Sequence, residues 1–123
     1  MMKPLAVLAV TTLLGACAPM ATVPSVPADA AQTAESEAAL DALADRYVKL
    51  QLAIGTHEPG YIDAYYGPPE WQAAAETNPV SKARLLILVA ELRSAIEDVK
   101  SGDALEGRRI AWLTAQLNAA ETR

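Results

Sequence analysis

A stretch of sixteen residues, Thr56 to Trp71, holds most of the side chains in this chain whose types and spacing could do chemistry. Its sequence, THEPGYIDAYYGPPEW, contains the only histidine of the chain and three of the four tyrosines. His57-Glu58 matches the first half of His-Glu-x-x-His, in which two imidazoles one helical turn apart hold zinc and the glutamate is the base. Tyr61 replaces the second histidine, and Pro59-Gly60 would break the helix that this motif needs. The sequence therefore predicts neither a metal site nor another cofactor.

Three interpretations of this stretch remain open. In the first, which we favour, the aromatic rings pack on neighbouring helices and their hydroxyls bond to the backbone. The second interpretation is a polar binding cleft, lined by His57, Glu58, Asp63, Tyr61, Tyr65 and Tyr66. Neither of these two interpretations assigns a catalytic residue. In the third, His57 is a general base or metal ligand, although a lone histidine without a second ligand or a nucleophile beside it is usually structural.

The N-terminus has the pattern of an export signal. A basic start at Lys3 precedes an apolar run from Leu5 to Leu14, which is too short to span a bilayer. The tetrapeptide Leu14-Gly15-Ala16-Cys17 resembles the lipobox of bacterial lipoproteins, in which the cysteine becomes the first mature residue and carries the lipid. We expect a signal peptide over residues 1–16 and lipidation of Cys17. The alternative is an ordinary signal peptide followed by an unmodified cysteine.

These features predict a partner and a location. The partner is membrane lipid, through the acylated Cys17, and the location is the cell envelope. Ala18 follows the cysteine, which by the same resemblance favours the outer membrane, facing the periplasm, in a Gram-negative cell. A net charge of −5 disfavours nucleic acid as a partner.

Residues 17–33 have the composition of a tether. Pro19, Pro24 and Pro27 stand among small residues, which favours an extended chain that buries little. The alternative is an arm that packs on the domain. The pattern changes at Thr33, so we assign residues 34–123 to the folded domain.

Helical periodicity dominates that domain, and no alternating strand pattern occurs. Ser81 is a predicted N-cap, Asp103 to Glu106 read as a variant of the capping box, and Gly55 is placed to end the first helix in a left-handed conformation. Three long helices are predicted, with apolar stripes at Leu40, Leu43, Tyr47, Leu50 and Ile54; at Leu85, Leu88, Leu92, Ile96 and Val99; and at Leu105, Ile110, Leu113, Leu117 and Ala120, with Trp112 beside the last.

Two short aromatic-rich helices are expected between the first and second long helices. One would run from Tyr61 to Tyr66, and the other would start near Pro69, where a missing N–H costs little, and stop at Asn78-Pro79. The fold class predicted is all-α, a small helical bundle.

The second long helix is unusually apolar. Leu86, Ile87 and Val89 widen its apolar face, which suggests a central helix covered on more than one side. The other predicted helices offer little to cover all of it. If the missing cover belongs to a downstream domain, the isolated domain should expose an apolar patch.

The segment RYVKLQLAIGTHEPGYIDAYYGPPEW also resembles the N-terminal region of a family of bacterial all-helical proteins related to zinc-dependent metallopeptidases. GRRIAWLTAQLNAAETR resembles the helix that follows in them, and Asp63 to Trp71 is the most specific part. In that family the zinc motif lies far downstream, and nothing here matches it, so the resemblance supplies no catalytic residue.

The resemblance implies that this chain is the non-catalytic N-terminal segment of a larger metallopeptidase-like protein, with a downstream domain as its partner. The alternative is a self-contained small lipoprotein that binds another envelope protein. Peptidase activity would belong to the downstream part, and a complete small enzyme that uses His57 is the least favoured hypothesis.

Overall fold

The computed structural model describes residues 27–123, and it folds them into four α-helices without a strand. The helices are α1 (Ala28–Gly55), α2 (Pro69–Thr77), α3 (Lys82–Glu97) and α4 (Ala104–Glu121). The predicted all-α bundle with three long helices is confirmed. The predicted signal peptide, Cys17 and most of the predicted tether lie outside the described residues.

The first helix starts earlier than its apolar stripe indicates. We expected residues up to 33 to belong to the tether, but α1 begins at Ala28, directly after Pro27. The residues of this first turn and the next are mainly alanine and other good helix formers, and the prolines of the predicted tether all precede them. Helix propensity alone therefore extends α1 beyond the part that reaches the core.

The core forms where α1, α3 and α4 meet. Ser36 of α1 contacts Glu106 of α4, and Asp41, further along α1, contacts Arg109, further along α4. Helices α1 and α4 therefore run parallel. Helix α3 packs against both of them. The buried cluster consists of Leu40, Leu50, Ala53, Ile54, Leu85, Val89, Leu92, Ile96, Leu113, Leu117 and Ala120.

The structure confirms the predicted N-cap of α3, but only part of its predicted burial. Ser81 is the N-cap and accepts a hydrogen bond from the backbone N–H of Arg84 at 3.3 Å. Val89 is buried as expected, whereas Leu86 and Ile87 are 52% and 49% exposed. The prediction that α3 is covered on more than one side is wrong for these two residues. They form an exposed apolar patch on α3.

Helix α4 begins at the predicted capping box. Asp103 accepts hydrogen bonds from the backbone N–H groups of Leu105 and Glu106 at 2.7 and 2.9 Å. Glu106 reaches back to the N–H of Gly102, one residue before the N-cap, which makes the box a variant of the usual form. Leu105, predicted on the core face, is exposed.

Residues 56–68 form a loop, so the short helix predicted from Tyr61 to Tyr66 is wrong. The backbone turns at Gly60, which has a φ of 80°, a conformation that glycine adopts readily. A six-residue helix fixes many dihedral angles for few hydrogen bonds, and here the tyrosines bond elsewhere. Gly55 does end α1, but not in the left-handed conformation, and a Cβ there would lie 3.4 Å from the Ile62 side chain.

Helix α2 has the predicted ends but buries none of its residues. Pro69 occupies the first turn, and the helix stops at Asn78, before Pro79. Lys49 of α1 places its Nζ 4.2 Å from the centre of the Trp71 ring. This cation–π contact joins α2 to α1.

Candidate functional site

The loop end of the bundle holds the histidine, close to the start of α3. The backbone N–H of His57 bonds to the carbonyl of Ile54, and its ring Nε2 lies 2.5 Å from the carbonyl oxygen of Val80. A carbonyl oxygen only accepts, so Nε2 is the donor in this hydrogen bond. This hydrogen bond joins the end of α1 to the residue before the N-cap of α3. This contact favours a structural role for His57.

Glu58 and Tyr61 connect the same loop to α4 and α1. The Glu58 carboxylate pairs with the Arg123 guanidinium at 2.7 Å, and that guanidinium lies 5.9 Å from the centre of the Tyr61 ring. The Tyr61 hydroxyl donates to Oε1 of Gln51 at 2.5 Å. Tyr61 is thus held between two helices.

Two tyrosines at this end stay neutral at physiological pH. Burial raises the pKa of Tyr47 above its ordinary value of 10.0, and the nearby Tyr61 phenol raises it further. Burial also raises the pKa of Tyr61, where Arg123 acts in the opposite direction and Glu58 adds to the increase. Both hydroxyls therefore can donate as well as accept a hydrogen bond.

The remaining members of the predicted cleft are less engaged. The Tyr65 hydroxyl donates to the carbonyl of Pro68 at 3.0 Å, and Gly67 leaves room for that ring, because a Cβ would lie 2.5 Å from the phenol oxygen. Asp63 is exposed, and Tyr66 is 96% exposed. Tyr66 contributes to no cavity described below.

Five of the six predicted cleft residues are divided among three cavities. His57 and Glu58 line a groove of about 160 Å³, whose floor is apolar and includes Leu85 and Val89. Asp63 lines a second cavity of about 310 Å³ between the loop and α2, with Glu58 and Tyr65 at its edge.

Tyr61 and Tyr65 line a third cavity of about 440 Å³ between α1 and α4, which we call the tyrosine groove. Its side chains come from both helices and the loop. Those that define it are Tyr47, Gln51, Tyr61, Tyr65, Gln116 and Arg123.

Sequence reasoning missed three members of this groove, Gln51, Gln116 and Arg123, to which it gave no role in a site. Tyr47, predicted on the core stripe of α1, does pack against the core, and it also lines the groove. The spacing of Tyr47 and Gln51, one turn apart on α1, places both on one face and is the signal available in the sequence. The matching face of α4 could not be known before the helices were found to run parallel.

Residues 27–123 contain neither a cluster of metal-ligating side chains nor a helix able to span a bilayer. In this part of the chain no three histidine, cysteine, aspartate or glutamate side chains lie together as metal ligands would. Within the same residues, no helix combines the length and apolar character needed to cross a bilayer.

Glu106 is a second polar feature of the bundle, at the opposite end from the loop. It is 4% exposed, and both carboxylate oxygens lie 3.0 Å from the Ser36 hydroxyl. The backbone N–H of Gly102 donates to the same carboxylate at 2.5 Å. The sequence predicted its capping role, but not its burial against α1.

Comparison with protein-family models, with curated proteins and with solved structures finds no match to this chain. The assignment of a function therefore depends on the residues and geometry described above.

Proposed function

We propose that this chain is a lipid-anchored helical module of the cell envelope, and that it forms the non-catalytic N-terminal segment of a larger metallopeptidase-like protein. The lipobox at Leu14 to Cys17 supports the anchor, and the segment around Asp63 to Trp71 supports the relation to the peptidase-like family. Within this chain, His57 and Glu58 are engaged by Val80 and Arg123, which favours a structural role for both.

The observation that carries the proposal is the exposed patch on α3. Leu86 and Ile87 are about half exposed, and Ala83 and Ala90 continue the apolar surface at helical spacing. Each buried methylene is worth about 0.8 kcal/mol, so covering these side chains would stabilise an assembled protein. We assign the cover to a downstream segment of the same polypeptide.

The charges at the two ends of α3 indicate how that segment lies. Lys82 is in the first turn and Glu97 is the last helical residue, the reverse of what the helix dipole favours. A covering segment that presents an acidic side chain near Lys82 and a basic one near Glu97 would offset both unfavourable interactions. This charge pattern favours one direction of docking over the other.

The second candidate is the self-contained small lipoprotein. The same patch supports it, with the cover supplied by a separate envelope protein. The two candidates differ only in which polypeptide touches Ile87.

Photo-crosslinking in intact cells tests both. A photoreactive amino acid at Ile87 should form a crosslink within one polypeptide, identified by mass spectrometry as a junction between α3 and a downstream segment. The matched control is the same photoreactive group at Tyr66, the most exposed aromatic position. A crosslink from Ile87 to a different protein would support the small lipoprotein instead. Equal, diffuse crosslinking from Ile87 and Tyr66 would contradict both candidates.

A further inference from the structure

The tyrosine groove is part of a longer row of aromatic rings along the seam between α1 and α4. At one end, the rings of Tyr47 and Trp112 meet edge to face, with centres 5.8 Å apart and planes at 71°. Because the helices run parallel, the row continues toward the loop, where Tyr61 stands beside Arg123. From Trp112 to Arg123 the seam extends about 16 Å, at about 1.5 Å per residue.

Trp112 is placed to contact a ligand rather than the core. It is 55% exposed although its ring touches Tyr47, so one part of the indole is fixed and another faces solvent. Because Tyr47 already holds the indole ring, Trp112 would lose little side-chain conformational entropy when a flat ligand covers it.

The polar groups along this row are uncharged hydrogen-bonding groups. Gln51 accepts from Tyr61 through Oε1, while its Nε2 is buried and has no hydrogen-bond partner among residues 27–123. Gln116 brings a second carboxamide to the same groove. A primary amide has two donors and an acceptor, so Gln116 is suited to a ligand that carries both.

The charge at the groove is low, which excludes several ligand classes. Arg123 is its one ionic member and is paired with Glu58. A phosphate-bearing ligand would need cations that are free to form bidentate contacts. The phenols are neutral, for the reasons given above.

We propose that the tyrosine groove, extended by Trp112, binds a neutral oligosaccharide. A sugar ring has an apolar face of C–H groups that packs on aromatic rings, and hydroxyls at its edge that bond to amides and phenols. The volume of about 440 Å³ is within the range of about 300–1,000 Å³ of ligand pockets. The length of the row suits several linked sugar units better than one. This inference does not depend on the proposed lipid anchor or on a downstream segment.

Titration with two neutral tetrasaccharides, cellotetraose and chitotetraose, tests the proposal. The full chain is kept in a detergent without a sugar headgroup, and binding is followed by calorimetry and by tryptophan fluorescence. At least one tetrasaccharide should bind and change the fluorescence. In Trp112→Phe the fluorescence change should be lost, because the remaining Trp71 lies under Lys49 on the other helix pair.

Variants locate the site. Trp112→Ala and Gln116→Ala should each weaken binding about tenfold or more, which corresponds to about 1.4 kcal/mol, because each removes one wall of the site. Tyr66→Ala, in the same loop but outside the groove, should bind as the parent does. Helical circular dichroism of each variant, unchanged from the parent, shows that it folds.

The proposal is overturned if neither tetrasaccharide binds at millimolar concentration. It is overturned equally if binding survives both Trp112→Ala and Gln116→Ala, or if Tyr66→Ala weakens it as much as they do.

Discussion

Glu106 is the one charged side chain buried within residues 27–123, and it joins two helices that are far apart in sequence. A buried carboxylate is costly unless hydrogen bonds satisfy it. Ser36 of α1 and the backbone of Gly102 supply those bonds. At the residue scale, this contact fixes the register of α1 on α4 at the end of the bundle away from the loop.

Glu106→Ala should lower the free energy of unfolding by about 1–3 kcal/mol, because it leaves the N–H of Gly102 and the hydroxyl of Ser36 without an acceptor. Glu106→Gln should lose less, since its amide oxygen still accepts one of these bonds. Urea denaturation followed by circular dichroism measures both. Glu97→Ala, at the exposed end of α3, is the control and should change stability by less than about 0.5 kcal/mol. An Ala variant at position 106 as stable as the control would contradict this role.

At the scale of the elements, α3 and α4 start with N-caps of unequal geometry. Asp103 satisfies two N–H groups at 2.7 and 2.9 Å, and Ser81 satisfies one at 3.3 Å. The shorter bonds to a carboxylate at the positive end of the helix dipole should be the stronger ones.

Asp103→Ala should therefore destabilise the bundle by about 1 kcal/mol, and Ser81→Ala by clearly less. Thermal and urea unfolding of the two variants give the comparison. Asp98→Ala, at the other end of α3, is the control for loss of an exposed carboxylate. A larger loss of stability in Ser81→Ala than in Asp103→Ala would contradict this prediction.

The elements also show which parts of the fold the sequence could predict. Both N-caps, the proline start of α2 and three apolar stripes follow from local patterns, and the structure confirms them apart from Leu105, which is exposed. The short helix predicted at Tyr61 is a loop in the structure. Spacing alone cannot distinguish a helical turn from a loop whose tyrosines bond to different partners. The tyrosine groove was equally out of reach, since it depends on how α1 lies beside α4.

At the scale of the whole molecule, the proposed anchor determines where the bundle is found. Acyl chains contribute about 0.8 kcal/mol for each methylene buried in the bilayer, so more than one chain holds a protein firmly. The single cysteine is the position at which such chains would be attached.

Cys17→Ser should abolish incorporation of radiolabelled fatty acid and either release the protein from the membrane fraction or leave its precursor unprocessed. Metabolic labelling and fractionation measure both effects. A second variant restores a thiol at another position, Ser25→Cys in the Cys17→Ser background, and should not restore labelling. Membrane attachment that persists unchanged in Cys17→Ser would refute lipidation at this site.

The parallel arrangement of α1 and α4 has a consequence for how the bundle would stand on a membrane. A helix of the length of α1 (Ala28–Gly55) extends about 42 Å, and α4 ends beside its far end. With a lipid on Cys17, the chain would enter the bundle at the end that holds Ser36 and Glu106. The loop end, with Tyr61 and Arg123, lies at the other end of α1, so the aromatic seam is on the part of the bundle further along the chain from the proposed anchor.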